Sequence, residues 1–256
     1  MNLLTRQCVV EFIGTFSLTF IGAGAIIATG GENLVAIAFA HGLALSMAVY
    51  ASGHISGGHI NPAVTIGMLV TGKIKPPAAA AYIVVQLLGA TLAACVLSSC
   101  LPGEAVDKVK LGATLGSLSA PENVVQVIVI EAILTFLLVT TIFAVAVDSR
   151  GPKNIYGFAI GLTVCFDILC AGAFTGASMN PARSFGPALI GGHWDIHLCY
   201  WIGPIVGGTL AALVYDRVVI GKDADGGDDA GGGDDAGDGK AEVAAGGDDA
   251  GGGEES

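Results

Sequence analysis

Apolar residues in this chain fall in long unbroken blocks, not at the spacing of an amphipathic helix or a half-buried strand. Six blocks occur, near 8–29, 34–52, 78–101, 123–147, 154–173 and 198–220. Each has the ~17–25 residues that a helix needs to cross a hydrocarbon core. The first is too long for the core of a secretory signal and the second follows closely, so it predicts a retained helix. Two stretches break the pattern, "GGHINPAVTIG" at 57–67 and "GASMNPARSFG" at 176–186. In both, a glycine-containing lead-in runs into Asn-Pro, and a short apolar run follows. Asn is a preferred N-cap, and Pro at the first helical position has no N–H to leave unpaired. Each Asn-Pro therefore predicts a helix start, over 61–71 and 181–190. About ten residues rise only ~15 Å, half of a bilayer core, so these half-helices enter a membrane without crossing it.

The two breaks belong to an internal repeat. Asn61 and Asn180 are 119 positions apart, and Glu11 in "EFIGTF" and Glu131 in "EAILTF" are 120 apart. A first repeat over 1–101 and a second over 123–220, joined by a loop at 102–122, hold three spans each. Three is odd, so the repeats face opposite ways in the membrane, an arrangement that builds a pathway at their interface. The predicted fold is an all-α membrane protein of six transmembrane helices and two re-entrant half-helices. The half-helices meet N-terminus to N-terminus at the bilayer centre. Irregular backbone is tolerated at that depth only inside protein or along a watery cavity. The lead-ins 57–60 and 176–179 are thus expected to line a channel with carbonyls, and Asn61 and Asn180 to offer amide donors to whatever passes. Two helix N-termini, each carrying roughly +0.5 charge, oppose a cation there but not a neutral molecule.

Composition agrees with the blocks: 53% of residues are hydrophobic and 13% charged, against ~25% charged in soluble domains. The net charge of −11 resides in 223–256, with twelve Asp/Glu and one Lys; the rest of the chain balances ten against ten. A Gly/Asp segment over 221–256 has almost nothing to bury and is predicted to be a disordered, solvated tail. Arg6, Lys73, Lys75, Arg150, Lys153, Arg217 and Lys222 fall on one side of the six spans, which predicts cytoplasmic termini. Six cysteines lie in or beside apolar blocks without ligand spacing, and read as small core residues. No metal, cofactor or nucleic-acid partner is expected. No nucleophile, base and oxyanion donors cluster, so an enzyme has no support.

At "GHISGGHINPAVT" and "FTGASMNPARSFGPAL" the chain resembles the major intrinsic protein (aquaporin) family, whose two NPA boxes these match, and the resemblance covers 7–220. It implies that Asn61, Pro62, Ala63, Asn180, Pro181 and Ala182 form the central pore motif. It further implies a constriction that falls on His41, Ile168, Ala177 and Arg183. Arg183 could instead be a salt-bridged structural arginine, but a charge at this depth favours the pore. The strict water-channel pattern has Phe, His and often Cys where His41, Ile168 and Ala177 stand. The set found here is similar to that of plant tonoplast intrinsic proteins, and the Ile also to archaeal aquaporins. Ser184, Ala188 and Tyr200-Trp201 stand on the water side of the division from glycerol channels. The implied function is passage of water, with ammonia or hydrogen peroxide, in a homotetramer with one pore per subunit. The membrane is that of the cell or, in a plant-like cell, the vacuole.

The resemblance also implies that Glu11 and Glu131 brace the re-entrant loops. Ion coupling, as in a secondary transporter, is the other reading open to these carboxylates and Asp167. A broader glycerol or urea facilitator is the nearer alternative. Asp167 has no counterpart in the family pattern; pairing with a neighbouring helix, or orienting His41, are its two readings. His54 and His59 read as loop braces, with a pH response on the cytoplasmic side as the other reading for one of them, and His193 and His197 as surface or interface residues.

Overall fold

A computed structural model describes residues 2–221, so nearly all of the acidic segment expected at 221–256 lies outside the described residues. Nine α-helices occur among the described residues: α1 (Leu3–Ala28), α2 (Leu34–Ser56), α3 (Pro62–Val70), α4 (Pro76–Cys100), α5 (Gly103–Lys108), α6 (Val124–Ile142), α7 (Tyr156–Thr175), α8 (Pro181–Gly191) and α9 (Cys199–Val214). Six of them (α1, α2, α4, α6, α7 and α9) are long and apolar enough to cross a membrane; α6 and α9 run on into π turns at Phe143–Val147 and Tyr215–Ile220. The helices begin and end near the sequence bounds, with two differences. The first starts at Leu3 because the Asn2 side chain caps it, accepting from Thr5 N at 2.8 Å. The second runs on to Ser56, where Gly57 takes φ 90°, a left-handed cap that a side chain would strain. Gly176 ends α7 in the same way with φ 88°.

Polarity runs outward from a polar interior. Ile13, Leu43, Met47, Leu88, Ile133 and Phe166 are exposed on the outer surface, whereas Glu11, Thr15, Gln86, Glu131 and Thr135 are fully buried. That order suits a protein whose solvent is lipid. Cys165 and Cys199 are buried as expected, but Cys100 and Cys170 are exposed on the outer surface, where the thiol is apolar enough for lipid.

The packing has the symmetry of an inverted repeat. Helix α1 lies on α4 where Gly89 meets Phe12 O, and α6 lies on α9 where Gly207 meets Ala132 O. The half-helices exchange partners: α3 of the first repeat packs on α9 of the second through Gly67 and Gly208 O, and α8 packs on α4 through Gly186 and Ala90 O. Helices α2 and α7 cross at Gly42 and Gly161. Small residues at each crossing let backbones approach without hydrophobic drive, as lipid requires.

Candidate functional site: a pore between the two half-helices

Each re-entrant turn hangs from one buried carboxylate. Glu11 Oε1 accepts from Ser56 Oγ (2.7 Å) and His59 N (2.8 Å), and Oε2 from Ile60 N (2.6 Å) and Gln86 Nε2 (2.8 Å). Glu131 Oε1 accepts from Thr175 Oγ1 (2.8 Å) and Ser178 N (3.0 Å), and Oε2 from Met179 N (2.8 Å). Tyr82 and Tyr200 then donate to Ser56 O (3.0 Å) and Thr175 O (2.7 Å). The second repeat has no counterpart of Gln86. His59 lies beside this hub, paired with Thr65 Oγ1 at 3.1 Å and edge-on to Tyr82, while His54 is exposed.

These anchors hold strained backbone. Ile60 and Met179, the residues before each Asn-Pro, have φ of 56° and 53°, costly for any residue with a Cβ and most of all for a β-branched one. The strain turns their carbonyls inward to the pair of asparagines. Asn61 Nδ2 donates to Met179 O at 2.8 Å, and Asn180 Nδ2 to Ile60 O at 2.9 Å. The side-chain oxygens cap their own helices, from Asn61 to Ala63 N and from Asn180 to Ala182 N and Arg183 N. These bonds limit what each amide can offer to a passing molecule. One of the two N–H groups of each amide ties the half-helices together, and its other N–H remains.

Two cavities adjoin, one running past this pair and the other beyond it. The inner one, a narrow space of about 30 Å³, reaches Asn61, Asn180 and Ala177, and is walled by apolar side chains such as Val64, Leu138 and Val164. The outer one, about 570 Å³, opens among Glu32, Lys108 and Lys110. His41, Ile168 and Arg183 line both, so the junction falls on three of the four residues expected to constrict the path. Pro62, Ala63, Pro181 and Ala182 are buried in the first turns of α3 and α8, behind the asparagines.

Arg183, 3% exposed, has no carboxylate partner among the described residues. Its Nη1 donates to Thr114 Oγ1 (2.7 Å) and Gly112 O (3.1 Å), and Nε and Nη2 lie 3.3 and 3.1 Å from His41 Nε2. A guanidinium only donates and the Ile37 carbonyl only accepts, so His41 carries its proton on Nδ1, giving it to Ile37 O at 2.8 Å, and accepts at Nε2. The suggestion that Asp167 orients His41 is therefore corrected: Ile37 and Arg183 do so. The Asp167 carboxyl is buried on α7, with no donor to either oxygen among the described residues.

Sequence reasoning missed the loop that seats Arg183. Lys110, Leu111 and Gly112 have φ of 50°, 55° and 65°, three left-handed residues in succession. Leu111 is buried among Ala23, Ile27, Ala94, Leu97 and Val106, which pins the strained turn and presents Gly112 O and Thr114 to the arginine. Thr114 is backed by Ser184 Oγ (2.8 Å), itself bonded to Ser178 Oγ, which donates to Asn180 O (2.9 Å). Only the run of glycine and small residues at 112–117 hinted at a loop that could fold inward. At the mouth, Lys108 pairs with Glu32 at 2.8 Å and holds that carboxyl below its ordinary range.

Known proteins resemble this chain in sequence and in fold. The Major intrinsic protein family profile matches residues 2–215. Aquaporin TIP4-4 of Zea mays is 44% identical over 222 residues, covering 82% of this chain and 85% of the relative. Aquaporin TIP2-1 of Arabidopsis thaliana is 43% identical over 227 residues, covering 84% and 88%. Among solved structures, the aquaglyceroporin from Plasmodium falciparum superposes with a TM-score of 0.75 at 25% identity, over 84% of this chain and 97% of that one. Half-helices joined at paired Asn-Pro steps, a lumen through the repeat interface and this likeness agree: the chain is an integral membrane channel of the major intrinsic protein, or aquaporin, family, and not an enzyme.

Proposed function

We propose that this channel passes water passively, together with small neutral solutes such as ammonia and hydrogen peroxide, and excludes protons and cations. The observation that carries the reading is the junction of vestibule and lumen at His41, Ile168 and Arg183, where the third side chain is aliphatic. An aliphatic wall gives no hydrogen bond and makes the ring less selective for water than a second imidazole would. Arg183 and the two half-helix N-termini supply positive potential against cations. Asn61 and Asn180 each have an N–H left for a passing oxygen, and Ala177, the fourth filter residue, leaves room there. Glu11 and Glu131, which accept four and three hydrogen bonds from the turns and the helices around them, act as braces rather than ion-coupling sites.

The repeats 1–101 and 123–220 form one pore unit, with both termini on the cytoplasmic side of a vacuolar or cell membrane. Positive charge supports that orientation: Lys73 and Arg150 lie at the same end as Asp216 and Val219, which they contact. Four copies assemble, and the apolar groove between the outer faces of α1 and α2, lined by Ile13, Gly14, Ala40, Ala44 and Met47, supports close docking there. A broader glycerol or urea facilitator is the second reading, favoured by the likeness to an aquaglyceroporin.

Stopped-flow light scattering on proteoliposomes, with water, ammonia, urea and glycerol, tests these readings. Wild type is expected to pass water and ammonia well above empty vesicles, and Ile168→His to keep water and lose the larger solutes. Water flux equal to that of empty vesicles sinks the function, unchanged selectivity in Ile168→His sinks the filter assignment, and fast glycerol flux favours the facilitator.

A further inference from the structure

The imidazole of His41 lies against α1 at Gly22. A Cβ built on Gly22 meets His41 alone among its three nearest atoms. It falls within the van der Waals envelope of Nε2 and Cδ2, and 2.8 Å from Cε1. The nearest atom is Nε2, the one that accepts from Arg183 Nε and Nη2. A single methyl at position 22 would therefore compete for the space that the His41–Arg183 contact uses. His41 cannot yield backwards, since Nδ1 is committed to Ile37 O.

The repeat supplies an internal control. Glu11 and Glu131 set an offset of 120, which carries Gly22 onto Ile142 of α6. Gly42 and Gly161, which cross in the middle of the molecule, set an offset of 119, which carries His41 onto Ile160. Ile142 and Ile160 line the lumen and belong to one apolar cluster. The scaffold thus accepts a branched side chain at this helical position when its partner is aliphatic. At 22, the three atoms nearest to an added Cβ all belong to the imidazole.

We propose that Gly22 is a specificity-determining position of the filter, acting as a positioning residue: its missing side chain lets His41 lie back on α1 with Nε2 turned to Arg183. This rests on the reading of His41 and Arg183 as the filter. The solutes it admits are those that fit between a retracted imidazole and Ile168. With a methyl at 22, the ring swings toward the lumen, Arg183 loses its imidazole acceptor, and the junction narrows.

A double-mutant cycle on the full chain in proteoliposomes tests this, with water and urea flux scaled to the amount of reconstituted channel. Gly22→Ala is expected to lower water permeability about tenfold without raising urea flux, an overpacking effect. His41→Ala is expected to raise the urea-to-water ratio, and Gly22→Ala added to His41→Ala to change neither flux. Equal losses from Gly22→Ala in both backgrounds, or none in either, overturn the role of Gly22. An unaltered urea-to-water ratio in His41→Ala overturns the filter reading instead, whatever Gly22→Ala does. Thermal unfolding in detergent covers a failure to fold. Rescue of an unstable Gly22→Ala by His41→Ala supports the proposal, and collapse of both refutes it.

Discussion

Among the described residues, Asp167 is the one buried carboxyl that no protein donor reaches. Glu11 and Glu131 are buried as deeply, but each accepts three or more hydrogen bonds. A buried polar group without partners costs about 1–3 kcal/mol, and replacing it with an apolar side chain of similar size removes that cost. Asp167→Leu is therefore expected to stabilise the folded channel by about that amount, seen as a higher unfolding temperature in detergent. A lower one would mean that the carboxyl has a stabilising partner. The sequence showed Asp167 as unusual but could not say what it touches. His41 and Arg183 could be singled out only through the family resemblance, by counting from the two Asn-Pro steps. Gly22 and Thr114 were not, since each meets its partner across 19 to 69 residues with no local pattern to mark the contact.

The two half-helices depend on what holds their lead-ins. Nothing in the short apolar runs of α3 and α8 fixes their depth; the backbone N–H groups at 59–60 and 178–179 do, through Glu11 and Glu131. Removing the Glu131 carboxylate leaves two buried N–H groups and the Thr175 hydroxyl without their acceptor, at about 1–3 kcal/mol each. Glu131→Ala is thus expected to destabilise by several kcal/mol and to lose water permeability as Met179 relaxes from its left-handed conformation. Glu131→Gln retains one acceptor oxygen and is expected to fall between, both in unfolding temperature and in stopped-flow water flux. A Glu131→Ala channel with the flux and stability of wild type would remove the bracing role. The starts of α3 and α8 could be read from Asn-Pro alone, because capping is local chemistry. The identity of the donors that reach each glutamate could not, because they come from the far ends of α2 and α7 and from Gln86 on α4.

At the scale of the molecule, six spans and their inversion were legible because apolar length and an odd number of spans per repeat leave little freedom. The loop between repeats was not: α5 and the left-handed turn after it answer to Leu111 and Arg183, which are distant in sequence. The π turns that end α6 and α9 were also invisible; they lie together, with Phe143 and Tyr215 rings 6.2 Å apart. Charged groups clasp this end. Lys73 after α3 pairs with Asp216 at 3.0 Å, joining the repeats, and Arg150 bonds both Asp148 and Val219 O. Arg150 holds Asp148 at about 2, below its ordinary 3.8. A depressed acid contributes stability above its unfolded value and loses it as pH falls through the folded one. The clasp should therefore be constant from neutral pH down to about 5, weaken through the window from 3.8 to about 2, and be gone below it. Asp148→Asn, which lacks the titration, is expected to unfold at a lower temperature than wild type at neutral pH, with the gap closing only in that acidic window. A gap that closes near pH 6 instead would assign the linkage to a histidine rather than to Asp148.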